Sequence, residues 1–273
     1  MVMSPWWFLV AFAVFLIGLT KSGFGSGVGL LNVPMMALAM SQIPGRGTDA
    51  ALGLMLPLLI AGDLIAVYQY RSIFSMKHIR TLLPGSVLGV VVGGLLLWWF
   101  KEHEALLASA LIKMEIGLES IALVGLHWWR QYRGVQQKLM KEPLRGALTG
   151  TFAGASSTLA HAAGPIIAMY LLPLKLDRRV FVGTCAIYFF LLNTAKLPAY
   201  AAGGLFENAS PMFAALFLPL VVVGALVGVW LNKRMSDTLF SRVVYVLTFA
   251  LGVYILIDGS FELHAYLTAD PVV

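Results

Sequence analysis

The chain has 273 residues, of which 59% are hydrophobic and only 12% are charged. A soluble domain carries about twice that charged fraction, so the composition excludes an ordinary water-soluble enzyme or binding module and indicates a membrane protein. In such a protein the net charge of +6 reflects basic residues collected in cytoplasmic loops rather than nucleic-acid binding.

The apolar runs, taken in chain order, predict ten helical segments in a repeated order of two short and three long. They are 6–20, 28–40, 48–69, 79–99 and 105–129, then 145–156, 162–174, 179–202, 211–231 and 239–258. The long runs suffice to cross a bilayer of about 30 Å as helices, and they lack the alternation of membrane β-strands. No basic residues precede the first run, so we expect a membrane segment there, not a cleaved signal peptide. The prediction is an all-α polytopic membrane protein.

The two halves of the chain repeat. Pro84, Gly89 and Gly93 have the same spacing as Pro219, Gly224 and Gly228, and the shared G-xxx-G allows helices to approach closely. We therefore predict two membrane repeats and two connecting or terminal regions. These are repeat 1 over 1–130, a cytoplasmic linker over 131–144, repeat 2 over 145–260 and a non-cytoplasmic C-terminal tail over 261–273.

Basic residues fix the expected orientation. Loops 70–80, 130–145, 175–179 and 232–242 hold 14 of the 19 lysines and arginines, and the positive-inside rule places them in the cytoplasm. The long helices of the second half then run opposite to those of the first, and both termini lie on the non-cytoplasmic side. Inverted repeats of this kind are typical of secondary transporters, here in the cell (inner) membrane.

Each short pair of segments contains a break rich in small residues, KSGFGSGVG at 21–29 and GASSTLAHAAGP at 154–165. Interrupted segments at matching positions of inverted repeats are expected to meet near the membrane midplane. A new helix begins after each break, near Val28 and near His161, and its unpaired first amides and positive dipole end favour an anion. The alternative is that the small residues only allow tight helix packing.

The side chains around the two breaks are the candidate substrate-binding residues. Glycines let a ligand approach the backbone, and hydroxyl, amide, imidazole and ammonium groups donate hydrogen bonds to anion oxygens. Lys196 supplies a positive charge, unless it forms a structural pair with Asp63. The candidates are Ser22, Gly25, Ser26, Gly27, Asn32, Ser156, Ser157, Thr158, His161, Asn193 and Lys196.

Four ionisable side chains at membrane depth are candidates for proton coupling: Asp63, His161, Glu115 and Glu119. A charge near the bilayer centre costs at least about 2.5–3.5 kcal/mol, so each needs a partner or a function. An anion arriving beside His161 favours its protonation, and Asp63 could carry a proton or neutralise Lys196. Whether Glu115 and Glu119, with Lys113 nearby, form a proton route, a subunit contact in a homodimer or an aqueous-edge patch stays open.

No metal or cofactor site is predicted. The single cysteine, Cys185, excludes a multi-cysteine metal site. Phe24 and Val28 stand where a nucleophile G-x-S-x-G around Ser26 needs glycines. An intramembrane enzyme is therefore disfavoured.

Several runs resemble the TauE/SafE family of sulfite and organosulfonate permeases. They are GLTKSGFGSGVGLLNVPMMAL, YRSIF, GTFAGASSTLAHAAGPIIAMYLLP and NTAKLPAY, and the resemblance spans residues 6–258. The usual family break is a tighter glycine triplet, whereas Ser26 and Val28 interleave with the glycines here. The resemblance implies a transporter of small sulfur-containing anions such as sulfite or sulfoacetate, coupled to protons. An anion channel, or a permease for a small anion without sulfur, is the alternative.

Overall fold

The computed structural model describes residues 4–23, 29–102, 105–133, 142–207, 209–232 and 237–268, and within these ranges the regular elements are helices only. The α-helices, in chain order, are α1 (Trp6–Gly23), α2 (Asn32–Ser41), α3 (Thr48–Tyr70), α4 (Met76–Lys101), α5 (Ala105–Arg133), α6 (Glu142–Ala160), α7 (Ala163–Leu171), α8 (Arg178–Ala202), α9 (Pro211–Ala215), α10 (Leu218–Asn232) and α11 (Asp237–Thr268). The predicted all-α class is confirmed.

Four of the described helices are long and apolar enough to cross a membrane. They are Thr48–Tyr70, Met76–Phe100, Arg179–Ala202 and Tyr245–Thr268, within α3, α4, α8 and α11. The chain is therefore a multi-pass helical membrane protein, as its composition predicted.

The predicted segment 211–231 is not one helix, since α9 ends at Ala215 and α10 begins at Leu218. Pro219 explains the interruption, because proline has no N–H to donate to the carbonyl of Ala215, four residues earlier. The amide of Leu220 instead donates to the carbonyl of Phe217 at 3.0 Å. The helical hydrogen-bond ladder restarts there.

Helices of one half pack closely against helices of the other, with α4 along α6 and α10 along α1. A Cβ at Gly89 would collide with the carbonyl oxygen of Thr151, and a Cβ at Gly224 with that of Phe15. The close helix approach predicted from the shared G-xxx-G spacing is therefore observed, and it occurs twice, since α4 packs on α6 as α10 packs on α1.

Two further pairs, α3 with α8 and α5 with α11, are antiparallel. Along α3, a Cβ at Gly53 would meet the carbonyl of Leu205, whereas Asp63 accepts a hydrogen bond from Asn193. Along α5, Lys113 contacts Glu262, whereas the ring of Trp128 packs on that of Phe249. In both pairs the partner number falls as the helix number rises, so the equivalent helices run in opposite directions.

The second break is narrower than predicted. Helix α6 continues to Ala160, and the break consists of His161, whose φ is 50°, and Ala162. The small residues before it stay helical and pack against α4, where Gly154 faces the carbonyl of Ser86. The Thr158 hydroxyl donates within the helix to the carbonyl of Gly154 at 2.8 Å. The centre of the first break, residues 24–28, lies outside the described residues.

The helices also extend into regions that the sequence assigned to connections. In the predicted linker 131–144, α5 reaches Arg133 and α6 begins at Glu142. In the predicted tail 261–273, α11 continues to Thr268.

Candidate functional site

A cavity of about 70 Å³ lies where the two short helix pairs meet α3 and α8. From the first half it is lined by Leu30 and Asn32, where the helical run of α2 begins, and from the second half by Ala162 and Gly164, where α7 begins. A buried site needs roughly 10–15 Å³ of such space for one water. The cavity therefore has room for a small anion or for several waters.

Both helix starts at the cavity keep their first amides free of side-chain caps. The N-cap residues Leu31 of α2 and Ala162 of α7 make no capping hydrogen bond through a side chain. The first amides of a helical run have no intrahelical acceptor, and the helix dipole adds positive potential there. The run that contains α2 begins with the 3₁₀ turn Gly29–Leu31, and α7 begins after Ala162. Two such ends at one cavity form a place that favours negative charge.

Lys21 and Asp63 form an ion pair on the cavity wall. The Lys21 ammonium, in the last turn of α1, lies 2.5 Å from Asp63 Oδ1. Asn193 Nδ2 donates to Asp63 Oδ2 at 2.6 Å, and the ring of Phe189 lies 4.8 Å below the Lys21 nitrogen. All four residues line the cavity. Both carboxylate oxygens of Asp63 are thus engaged, and the ion pair is neutral as a unit.

Lys196 is fully buried behind the cavity. Its Nζ donates to the carbonyl and hydroxyl oxygens of Ser157 at 2.9 and 3.0 Å and lies 2.7 Å from His161 Nδ1. These three partners match the three N–H bonds of an ammonium. Lys196 does not line the cavity itself, but Ser157 and His161 do. Among the described residues, its nitrogen contacts no carboxylate.

His161 connects Lys196 to α3 and to the end of α6. Its Nε2 lies 3.2 Å from the carbonyl oxygen of Leu52, and the Tyr200 hydroxyl, 3.4 Å from the same nitrogen, donates to the carbonyl of Thr158 at 2.7 Å. A proton on Nε2 can bond to Leu52, which leaves Nδ1 to accept from the Lys196 ammonium. The contacts thus favour a neutral imidazole.

Among Lys21, Asp63 and His161 on the cavity wall and Lys196 directly behind it, the formal charges leave one positive charge in excess. Lys21 and Asp63 cancel, His161 is neutral, and Lys196 is cationic when all three of its contacts accept hydrogen bonds. A buried charge without a counter-ion is costly. An anion in the cavity would supply that counter-charge.

The family profile described as Sulfite exporter TauE/SafE matches residues 10–255 of the chain. The chain belongs to this family. It is therefore a membrane transporter of the sulfite-exporter type, and the resemblance seen in the glycine-rich runs is confirmed. Neither the curated proteins nor the solved structures include a match to it.

In this TauE/SafE protein, four of the predicted substrate-binding residues line the cavity: Asn32, Ser157, His161 and Asn193. Lys196 stands directly behind two of them. Asn32 is 2% exposed, and its Oδ1 has no hydrogen-bond partner within the described part of the chain. A ligand in the cavity would have this amide within its wall.

The other predicted binding residues do not line the cavity or fall outside the described ranges. Ser156 and Thr158 lie in the last turns of α6 but away from the cavity wall. Ser22 is buried at the end of α1, and its hydroxyl has no partner among the described residues. Gly25, Ser26 and Gly27 lie outside the described residues.

The two glutamates proposed for proton coupling form a pair on α5. The carboxyl groups of Glu115 and Glu119, one turn apart on α5, lie next to each other, and Ser156 lies beside Glu119. Ser156 Oγ makes no well-directed hydrogen bond among the described residues. The pair therefore faces the end of α6 at Ser156. The next residue, Ser157, binds Lys196 through its carbonyl and hydroxyl oxygens.

Lys113 does not join these glutamates. Its ammonium binds Asp258 at 2.6 Å and Glu262 at 2.7 Å, both on α11, and Ser109 donates to Glu262 at 2.9 Å. Sequence reasoning missed Asp258 and Glu262, although their spacing of four residues places them on one helix face.

Sequence reasoning also missed the partner of Asp63. The structure engages its two oxygens with Lys21 and Asn193, whereas the sequence offered Lys196 as the structural partner. Lys21 stands in the last turn of α1, where a cation suits the C-terminal end of the helix dipole.

Proposed function

We propose that this protein is a secondary transporter that holds one small sulfur-containing anion, such as sulfite, sulfoacetate or another short organosulfonate, in the cavity between the starts of α2 and α7. One observation carries the proposal: two helix N-terminal ends without side-chain caps line a single buried cavity beside an excess positive charge. Each of these features favours an anion.

The cavity residues suit the oxygens of such an anion. The Asn193 and Asn32 amides and the Ser157 hydroxyl can donate to them, together with the first-turn amides of α2 and α7. Lys196 acts from behind Ser157 and His161 as the counter-charge. The apolar wall, which includes Met55, Leu59 and Phe189, would receive the carbon atoms of a short organosulfonate.

The transport cycle is alternating access coupled to protons. Asp63 and His161 line the cavity and can exchange a proton with it. Glu115 and Glu119 are adjacent buried carboxyl groups, and two negative charges at such a distance favour a proton on one of them. The short helix pairs would move with one helix bundle against the other, so that the cavity opens to each side in turn.

The inverted-repeat topology is part of the same proposal. It places both termini on the non-cytoplasmic side of the inner membrane, with repeats over 1–130 and 145–260. The opposite directions of α3 and α8, and of α5 and α11, support it, as do the basic loops.

Uptake into proteoliposomes tests the proposal. Purified protein should take up labelled sulfoacetate and sulfite with saturation and faster under an imposed pH gradient, whereas acetate and chloride should compete poorly. Ser157→Ala should weaken the apparent affinity for sulfoacetate at least about tenfold, because a charge-assisted hydrogen bond is worth about 1.5–3 kcal/mol.

Ser120→Ala is the matched control, since Ser120 is also a buried serine but lies against Gly252 between α5 and α11, away from the cavity. It should leave affinity unchanged. Flux that fails to saturate and ignores the pH gradient would identify an anion channel. Absence of any sulfur-anion flux in folded protein would contradict the proposed function.

A further inference from the structure

We propose that Lys196 itself carries the coupled proton, being an ammonium while the anion is bound and a neutral amine while the cavity is empty. The inference rests on the proposed function and names the group on which its proton travels. Asp63, His161, Glu115 and Glu119 then tune or relay that proton rather than carry it across.

The direct contacts of Lys196 and of Asp63 favour such a change. Asp63 is committed to Lys21 at 2.5 Å and to Asn193 at 2.6 Å, so it is not free to neutralise Lys196. With the anion present, an ammonium at Lys196 has a counter-charge. Without the anion, a cationic Lys196 would be a fully buried charge whose nitrogen contacts no carboxylate among the described residues, which is costly at membrane depth.

The partners of Lys196 fit both protonation states. An ammonium donates three hydrogen bonds, and the Ser157 carbonyl, the Ser157 hydroxyl and His161 Nδ1 can accept them. A neutral amine donates two and accepts one. The Ser157 hydroxyl can rotate and donate to the amine lone pair, while the carbonyl and His161 keep their roles. No side chain has to move for the lysine to change state.

The charged and titratable groups near this lysine stand on several helices. Lys21 on α1 and Asp63 on α3 form the neutral pair, Tyr200 on α8 presents its ring 5.8 Å from Lys196 Nζ, and Glu115 and Glu119 stand on α5. Among the described groups, His161 is the titratable side chain in direct hydrogen-bond contact with Lys196. A proton entering or leaving Lys196 therefore passes groups that already line the cavity.

The proton transfer changes the Lys196 side chain by one N–H bond. As the anion leaves, an N–H bond of the ammonium breaks, its electron pair stays on Nζ, and the proton passes to cavity water through the Ser157 hydroxyl or the His161 ring. Binding of the next anion reverses the step. For a monovalent anion the site is then neutral both loaded and empty, so one proton accompanies each anion.

Two transport modes measured on the same proteoliposomes test this assignment. Exchange of labelled for unlabelled sulfoacetate needs only the loaded site, whereas net uptake driven by a pH gradient also needs the empty site to return. Lys196→Arg cannot lose its charge, so the ratio of net uptake to exchange should fall at least about tenfold.

Lys113→Arg is the matched control. Lys113 is a second buried lysine, but it is held by Asp258 and Glu262. The ratio of net uptake to exchange in the Lys113→Arg variant should therefore equal that of the wild type. In addition, a pH dye in weakly buffered detergent solution should report proton uptake when sulfoacetate is added to wild-type protein. That measurement decides the question even if Lys196→Arg does not fold.

The results distinguish failure of the Lys196 assignment from failure of the proposed function. Wild-type protein that binds and transports sulfoacetate without taking up protons would overturn the assignment while the transporter proposal stands. So would a Lys196→Arg variant with the wild-type ratio of net uptake to exchange, because another group would then carry the proton. Folded wild-type protein that neither exchanges nor binds the anion would remove the proposed function itself.

Discussion

At the scale of single residues, the Lys21–Asp63 pair has the largest structural consequence. It joins the end of α1 to α3 beside the cavity, and the Asp63 carboxylate is completely buried. The pair stabilises the protein because each charge neutralises the other, and removing one partner leaves an unpaired charge at membrane depth. The pair thus fixes the cavity wall while adding no net charge to it.

Single substitutions of this pair should be costly and the double substitution less so. Lys21→Met or Asp63→Leu alone should each destabilise the protein by about 3–5 kcal/mol, whereas the double variant should lose much less than the sum. Unfolding in detergent, followed by tryptophan fluorescence, measures the three changes.

Lys77→Ala provides the comparison, since Lys77 pairs with Glu142 at 3.2 Å but its side chain is 71% exposed. Its loss should cost less than about 1 kcal/mol. The interpretation fails if either single substitution at the buried pair costs no more than Lys77→Ala, or if the double variant loses the full sum.

The sequence located the ionisable residues at the cavity more reliably than it predicted their contact partners. Asp63, Lys196 and His161 stood out because ionisable groups at membrane depth need a reason, and all three lie at the cavity or directly behind it. The sequence did not predict their partners, because which side chains are in contact across α3, α6 and α8 depends on tertiary packing. For the same reason Lys113 was grouped with its neighbours Glu115 and Glu119.

At the scale of helices, glycines set the distance between the two halves. Gly89 on α4 and Gly224 on α10 each face a backbone carbonyl of the partner helix, so the helices touch backbone to backbone. These contacts explain the repeated spacing that the sequence showed. Part of the glycine content thus serves packing, the alternative considered for the breaks.

Gly89→Ala should destabilise the protein by about 1–3 kcal/mol, because an added methyl must displace the carbonyl of Thr151 and with it the backbone of α6. Gly125→Ala is the control within a helix, since a Cβ there meets nothing within 4 Å. It should be neutral or stabilise by up to about 1 kcal/mol. Equal melting temperatures for the two variants would show that the α4–α6 contact is not tight.

The position of the second break was predicted only approximately. Its glycines and hydroxyl residues are poor helix formers in isolation, and composition alone suggested an interruption from 154 to 165. Packing of Gly154 against the backbone of Ser86 on α4 keeps those residues helical. Only His161, with its positive φ, ends the helix, and no local pattern specifies that residue.

At the scale of the whole molecule, the two halves exchange their first helices, because each first helix packs against the other half. Helix α1 packs on α10, and α6 packs on α4. The sequence predicted the repeat and the equivalence of the breaks, because spacing survives in the chain. The exchange itself could not be predicted, since it joins residues more than 200 positions apart in the α1–α10 pair. It brings the starts of α2 and α7 to one cavity.

The position of the bound anion is the central claim, and selenite offers a direct measurement because its selenium scatters anomalously and it resembles sulfite in shape and charge. Crystals of the wild-type protein soaked in selenite should show an anomalous peak in the cavity, within hydrogen-bond distance of Ser157 and Asn193. A Ser157→Ala crystal should show a weaker peak. No peak in the cavity, or peaks only at the protein surface, in protein that transports sulfite would contradict the account.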